Sequence, residues 1–178
     1  VTRPLLGWWT RKLAVQPVIR KAELLRGGCT EEEAIHLNGR SLMMLATGIS
    51  AGFGCVLFPE GTSHNESSLL RFRTGPFRTV FAAAAIAKAN DQPIPAVIPL
   101  GLHFRRRDHF RTDVWVEYDA PHYIQEDEIP NELVQAVAKG NWVEPAAENV
   151  FALRDALRIK MGPLTPNTRD WDEYHALH

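Results

Sequence analysis

Two uninterrupted apolar runs constrain the fold of this chain more than any other feature. They are FGCVLF (53–58) and PAVIPLGLHF (95–104), and stretches with helical periodicity lie before and between them. A short apolar run bounded by turn residues is typical of a strand that is buried on both faces. Apolar strands that alternate with helices predict an α/β fold, in which a mostly parallel central sheet is flanked by helices.

Local signals set the bounds of the other predicted elements. Thr30 followed by Glu33 is the signature of a helix N-terminus, and Pro76 suits the first turn of the next helix. Helices are predicted over 4–14, 30–48, 75–90 and 145–161, and further strands over 15–21 and 114–119. The chain is expected to end in a helical C-terminal tail. Its last residues are punctuated by prolines, so we expect them to be peripheral to the sheet.

Composition limits the classes of function. The chain has 178 residues, of which 45% are hydrophobic, enough for a core of ordinary size. Because the net charge is −1, no global basic field points to nucleic acid, and recognition of phosphate has to be local. Cys29 and Cys55 lie in unlike contexts, which favours a reduced, cytosolic compartment, although one disulfide stays open.

Hydrogen-bonding groups are concentrated where the first apolar run ends, in FPEGTSH (58–64). Gly61 allows positive φ and close approach of a ligand to the backbone, and Thr62, Ser63 and His64 add two hydroxyls and an imidazole. This pattern predicts an anion cradle, in which Glu60 accepts from substrate hydroxyls or pairs with a nearby arginine. An ordinary capped turn is the alternative, whereas a Ser-His-Glu hydrolase is disfavoured because no G-x-S-x-G elbow surrounds the serine.

The same residues carry a family resemblance. FPEGT followed by LLRFRTG (69–75) resembles a signature of the glycerolipid acyltransferases, the superfamily of glycerol-3-phosphate and 1-acylglycerol-3-phosphate acyltransferases. QPVIRKAE (16–23) and AVIPLGL (96–102) resemble two further blocks of that family, in the right order. Together these blocks place the resemblance over residues 1–125, the predicted acyltransferase domain, and leave 126–178 as a C-terminal helical extension.

The resemblance implies roles for six residues, all in holding the substrate. It assigns an arginine role in phosphate binding to Arg20, which lies at the charged end of the predicted strand over 15–21. It assigns recognition of phosphate and glycerol to the loop residues Glu60, Gly61, Thr62, Ser63 and His64. Many members have an arginine after F-P-E-G-T, whereas this chain has Ser63 and His64. That version occurs among relatives similar to eukaryotic-type glycerol-3-phosphate or dihydroxyacetone-phosphate acyltransferases, which favours first-step acylation.

The family's first block, a His and an Asp separated by four residues, does not precede Arg20. That pair supplies the base, so we expect a fragment whose catalytic pair lies upstream of Val1, and no catalytic residue is assigned within the chain. The spacing recurs at His103–Asp108 and His122–Asp127. Both pairs follow the last block, while the family places its pair before the second, so we interpret them as chance matches.

The predicted function is transfer of a fatty acyl group to a hydroxyl of glycerol 3-phosphate or a related lysophospholipid, in phospholipid biosynthesis. Acyl-CoA or acyl carrier protein would be the co-substrate, with no cofactor and no metal. The other partner would be the cytoplasmic face of a membrane, where the tryptophan-containing helix over 4–14 is a candidate contact. Two alternatives remain: a non-catalytic module that binds lipid phosphate, and an acyltransferase with a different lipid acceptor.

Overall fold

A computed structural model describes Trp8, Lys12 and residues 21–106, 108–165 and 167–177. The elements within these residues, in chain order, are α1 (Lys21–Arg26), α2 (Glu31–Ser50), α3 (Gly75–Ala89), β1 (Leu100–Phe104), β2 (Val114–Tyr118), a 3-10 turn (Glu126–Glu128), α4 (Asn131–Ala138), α5 (Ala147–Met161) and α6 (Trp171–Leu177). Trp8 and Lys12 are helical, and the rest of the predicted helix 4–14 lies outside the described residues. None of the described helices is long and apolar enough to cross a bilayer.

The capping signal read from the sequence sets the start of α2. The Thr30 hydroxyl accepts from the Glu33 N–H at 3.3 Å, and the Glu33 carboxylate accepts from the Thr30 N–H at 2.8 Å. This capping box satisfies two donors that a helix N-terminus leaves unpaired. The Thr30 N–H, and after it the Thr30 hydroxyl, donate to the Glu33 carboxylate and hold the pKa of that carboxyl below its ordinary value. The helix prediction for this stretch is confirmed.

The core is built around α3. Pro76 stands in its first turn, and the whole stretch Ala82–Ala87 is buried. Alanine side chains allow other helices to pack close to the α3 backbone, and α2, α4 and α5 all pack against it. Phe77 and Phe81, each 4% exposed, fill the remaining space. The predictions of α3 and α5 are confirmed, whereas α1 and α4 were missed.

The strands of the described residues form an antiparallel hairpin. β1 pairs with β2 in a register that sets Leu102 opposite Val116, and an isolated bridge joins Val97 to His122. The strand β1 covers the second half of the predicted strand 95–104, and β2 covers nearly all of the predicted strand 114–119, so these two predictions are confirmed over those residues. A mostly parallel central sheet remains a prediction, since the two-stranded sheet seen within the described residues does not test it.

The predicted buried strand over 53–58 is wrong in this structure. The segment has no strand pairing, and Phe53, Val56 and Phe58 are each at least 70% exposed. A strand leaves its backbone donors and acceptors unpaired unless a neighbouring strand lies beside it. The segment is as apolar as a buried strand, but no described strand lies alongside it to pair with its backbone.

Residues on both sides of the proposed boundary at residue 125 contribute to one core. The buried cluster that contains Phe81 from α3 also contains Leu133 from α4 and Leu157 from α5. The assignment of 1–125 to an acyltransferase domain and of 126–178 to a C-terminal extension stays a prediction. The helices beyond it pack on the same hydrophobic cluster as α3.

Candidate functional site

The FPEGTSH loop turns sharply after Phe58. Gly61 has φ +68° and donates its N–H to the Phe58 carbonyl at 3.1 Å. The Arg73 N–H donates to the Pro59 carbonyl at 2.7 Å, which brings residue 73 back beside the start of the loop. A Cβ at Gly61 would lie 3.0 Å from the Arg73 Cγ. Glycine therefore serves both the left-handed backbone and the close approach of the arginine stem.

Glu60 and His64 form the centre of the site. The Glu60 Oε2 lies 2.5 Å from the His64 Nε2, and both side chains are about one-fifth exposed, at 20% and 22%. The same Oε2 accepts from the Leu70 N–H at 3.1 Å. The carboxylate is thus fixed from two directions. Its partner is the histidine, not Arg71 or Arg73, which the sequence suggested as possible partners.

The second ring nitrogen of His64 is also engaged. The Glu66 N–H donates to the His64 Nδ1 at 3.2 Å, so this nitrogen presents its lone pair and the ring proton belongs on Nε2. That tautomer donates to Glu60. Since both nitrogens have partners, neither is directed at Ser63, and His64 is suited to orienting Glu60 and not to taking a proton.

Exposed polar residues lie close in sequence to this pair. The side chains of Thr62 and Ser63 are exposed, and the Thr62 hydroxyl makes only a long contact of 3.4 Å with the Ser63 carbonyl. Arg71 and Arg73 are exposed as well, and within the described part of the chain neither guanidinium forms an ion pair. Hydroxyl and guanidinium donors beside a positive-φ glycine are suited to an anionic ligand.

Of the six predicted site residues, the structure brings five together in this loop. Arg20 lies outside the described residues. The structure also adds contacts that the sequence did not reveal, from the amides of Glu66 and Leu70 and from the segment 167–171. A local sequence pattern carries no signal for the contacts from 167–171, because this segment lies about a hundred residues after the loop.

The two His-x4-Asp spacings do not form pairs. The His103 Nε2 lies 3.6 Å from the Glu117 Oε2 across the β1–β2 hairpin. Asp108 lies 3.7 Å from both Arg106 and His109. His122 uses its backbone in the bridge to Val97, and no hydrogen bond or ion pair within residues 108–165 joins it to Asp127. The contacts support the interpretation of these spacings as chance matches.

Cys55 precedes the loop and is the nearest thiol in sequence. It is exposed overall, yet the atoms packed around its sulfur raise the pKa of the thiol by desolvation. A raised pKa keeps a thiol protonated near neutral pH, and only the thiolate is a strong nucleophile. This microenvironment does not favour Cys55 as a nucleophile.

Comparison with known proteins gives a match for part of the chain. Over 69 residues, 38% of the chain, the sequence is 41% identical to glycerol-3-phosphate O-acyltransferase 2 of Saccharomyces cerevisiae. The chain spans about 9% of the length of that curated relative. No protein-family model matches the chain, and no solved structure gives a significant match. Part of this chain is therefore similar to a glycerolipid acyltransferase.

Proposed function

We propose that this chain is part of a glycerolipid acyltransferase and that the loop 59–64 holds its acceptor, glycerol 3-phosphate or a related lysophospholipid. The observation that carries the proposal is the Glu60–His64 pair, fixed by two backbone amides, in a loop that presents two hydroxyls and lies beside the stem of Arg73. The partial similarity to a glycerol-3-phosphate O-acyltransferase supports the same reaction class. Acyl-CoA or acyl carrier protein is the proposed donor, at the cytoplasmic face of a membrane.

Each group of the loop has a proposed task. Glu60 accepts hydrogen bonds from the free hydroxyls of the glycerol, because His64 and Leu70 already hold its carboxylate in place. The hydroxyls of Thr62 and Ser63 donate to the phosphate. Arg73, whose stem packs on Gly61, neutralises it, and Arg20 is the second proposed phosphate ligand.

The chemical step itself needs a base. The acceptor hydroxyl attacks the thioester carbonyl and loses its proton to an imidazole, and the released thiolate takes a proton. His64 is not suited to that task, because Glu60 and the Glu66 amide engage its two nitrogens. The proposed base is the histidine of the family's first block, and the loop acts by binding and orientation.

The test uses the intact protein and Glu60→Gln, which keeps the shape of the side chain and removes its charge. We expect the acceptor KM to rise about tenfold, because a charged hydrogen-bond acceptor is lost, while the donor KM stays constant. Glu132→Gln is a matched control, since it removes the same charge from an exposed carboxylate of α4, outside the loop. An unchanged acceptor KM in Glu60→Gln would contradict the assignment.

A binding module for lipid phosphate is the second candidate. The engagement of both His64 nitrogens favours it, since the loop is built to hold a ligand and has no base of its own. The two candidates differ in one measurement. If the intact protein binds glycerol 3-phosphate but transfers no acyl group to it from either acyl-CoA or acyl carrier protein, the binding module is correct.

A further inference from the structure

Three residues near the C-terminus contact the stretch that follows the FPEGTSH loop. These residues, Asn167, Thr168 and Trp171, are called here the C-terminal clamp, and they bind the stretch 65–69 through side chains and backbone. The sequence predicted only a peripheral tail in this region. The contacts lie one residue away from the amides that fix Glu60 and His64.

The centre of the clamp is a reciprocal contact between Ser67 and Thr168. The Ser67 hydroxyl donates to the Thr168 carbonyl at 2.9 Å, and the Thr168 N–H donates to the Ser67 carbonyl at 3.2 Å. Thr168 is only 5% exposed, and its hydroxyl donates to the Asp170 carbonyl at 3.0 Å. Buried paired hydrogen bonds of this kind fix the distance between two segments.

Asn167 connects the clamp to Glu60. Its Oδ1 accepts from the Leu69 N–H at 3.1 Å, and the next amide, that of Leu70, donates to the Glu60 carboxylate. Asn167 adopts φ +49°, a left-handed conformation that asparagine tolerates better than most residues. The Leu69 and Leu70 N–H groups belong to consecutive peptide groups that meet at the Leu69 Cα, so the clamp holds the peptide group next to the one that donates to the carboxylate.

Trp171 connects the clamp to His64 through one peptide group. Its indole N–H donates to the Asn65 carbonyl at 2.7 Å, and the following amide, that of Glu66, donates to the His64 Nδ1. The indole also packs against the Tyr174 ring, with centroids 5.0 Å apart. The carbonyl of residue 65 and the amide of residue 66 belong to one rigid peptide group, so the clamp fixes the orientation of this donor.

We propose that the C-terminal clamp is a positioning element for the acceptor site. It holds the peptide group that carries the Glu66 donor and the amide next to the Leu70 donor, and it sets the affinity for the acceptor without touching it. This inference rests on the proposed function of the loop. It adds residues from the far end of the chain to the determinants of acceptor binding.

Two variants remove one clamp hydrogen bond each. Asn167→Gly suits the positive φ and deletes the acceptor for the Leu69 amide. Trp171→Phe keeps an aromatic ring beside Tyr174 and deletes the N–H donor. In the intact protein we expect each to raise the acceptor KM about two- to tenfold, with kcat and the donor KM unchanged. Asn167→Asp retains an oxygen acceptor, so its acceptor KM should stay at the wild-type value.

Hydrogen exchange gives a readout that does not depend on activity. In ligand-free protein, Asn167→Gly should accelerate exchange of the Leu69 and Leu70 amides, while the amides of α2 keep their wild-type rates. Arg169→Ala lies within the same segment, and its side chain is directed to Glu173. This control should leave both the exchange rates and the acceptor KM unchanged.

The outcomes separate this inference from the proposed function. If Glu60→Gln raises the acceptor KM and both clamp variants leave it at the wild-type value, the clamp is wrong and the loop assignment stands. If Glu60→Gln leaves the acceptor KM unchanged, the proposed function fails. Equal losses in kcat and in both KM values, or a raised acceptor KM in Asn167→Asp, would show a general structural role and overturn the positioning element.

Discussion

The helix α3 and the segment 53–58 have similar apolar composition and opposite environments. Both were predicted to be buried, yet Phe81 of α3 is 4% exposed and Phe53 of the segment is 73% exposed. A helix pairs its own backbone groups, so it can be buried against any apolar surface. An extended segment has to find a neighbouring strand before its backbone can leave water. Apolar composition alone therefore predicts burial more safely for helices than for strands.

The largest expected effect tests this comparison directly. Phe81→Ala should lower the free energy of unfolding by about 3–5 kcal/mol, because it leaves a cavity in the core around α3. Phe53→Ala should change it by less than about 0.5 kcal/mol, as surface substitutions do. Urea denaturation monitored by circular dichroism measures both. A cost for Phe53→Ala as large as that for Phe81→Ala would show that the segment 53–58 is buried, as the sequence predicted.

Two glycines of α2 sharpen the comparison inside the helical region. A Cβ at Gly39 would lie 2.7 Å from the Trp142 Cδ1 and 2.9 Å from its Cγ, whereas a Cβ at Gly48 would meet nothing within 4 Å. Gly39→Ala should destabilise the chain by about 1–3 kcal/mol through overpacking. Gly48→Ala should stabilise it by about 0.5–1 kcal/mol, since alanine is the better helix former. Thermal unfolding of the two variants should shift in opposite directions, and equal shifts would contradict the packing described.

The smallest effects concern the start of α2. Thr30→Ala should cost about 1 kcal/mol, because it removes the capping hydroxyl. Since the pKa of Glu33 is lowered in the folded state, its charge stabilises the fold above its ordinary pKa of 4.5. This contribution is lost as the pH falls below that value and through the folded-state pKa. Glu33→Gln should therefore be less stable than wild type at pH 7, and the difference should shrink as the pH falls below 4.5; a difference that does not change with pH would contradict a lowered pKa.

The sequence predicted the helices well because their signals are local. Thr30 and Glu33 lie within one turn, and the proline and asparagine that bound α3 are read in the same way. Helix α4 was missed, although Leu133 and Val137 are buried at helical spacing, because the run is only eight residues long. The strand over 53–58 was wrong because its burial depends on a distant partner.

The candidate site shows the same division. The polar character of the loop and the need for glycine at residue 61 could be predicted from the sequence, since both are properties of one short stretch. The pairing of Glu60 with His64 was not predicted, because either arginine after the loop was an equally good partner by spacing. The contacts of Asn167 and Trp171 depend on how the chain folds back on itself, and no local pattern encodes that approach.

The central claim is that the loop holds the acceptor and does not take part in bond making. Titration of the intact protein with glycerol 3-phosphate, with no acyl donor present, tests it most directly when wild type and Glu60→Gln are compared. The account predicts that Kd rises about tenfold in Glu60→Gln, that the acceptor KM rises with it, and that kcat is unchanged. An unchanged Kd together with a fall in kcat would place Glu60 in the chemical step and contradict the account.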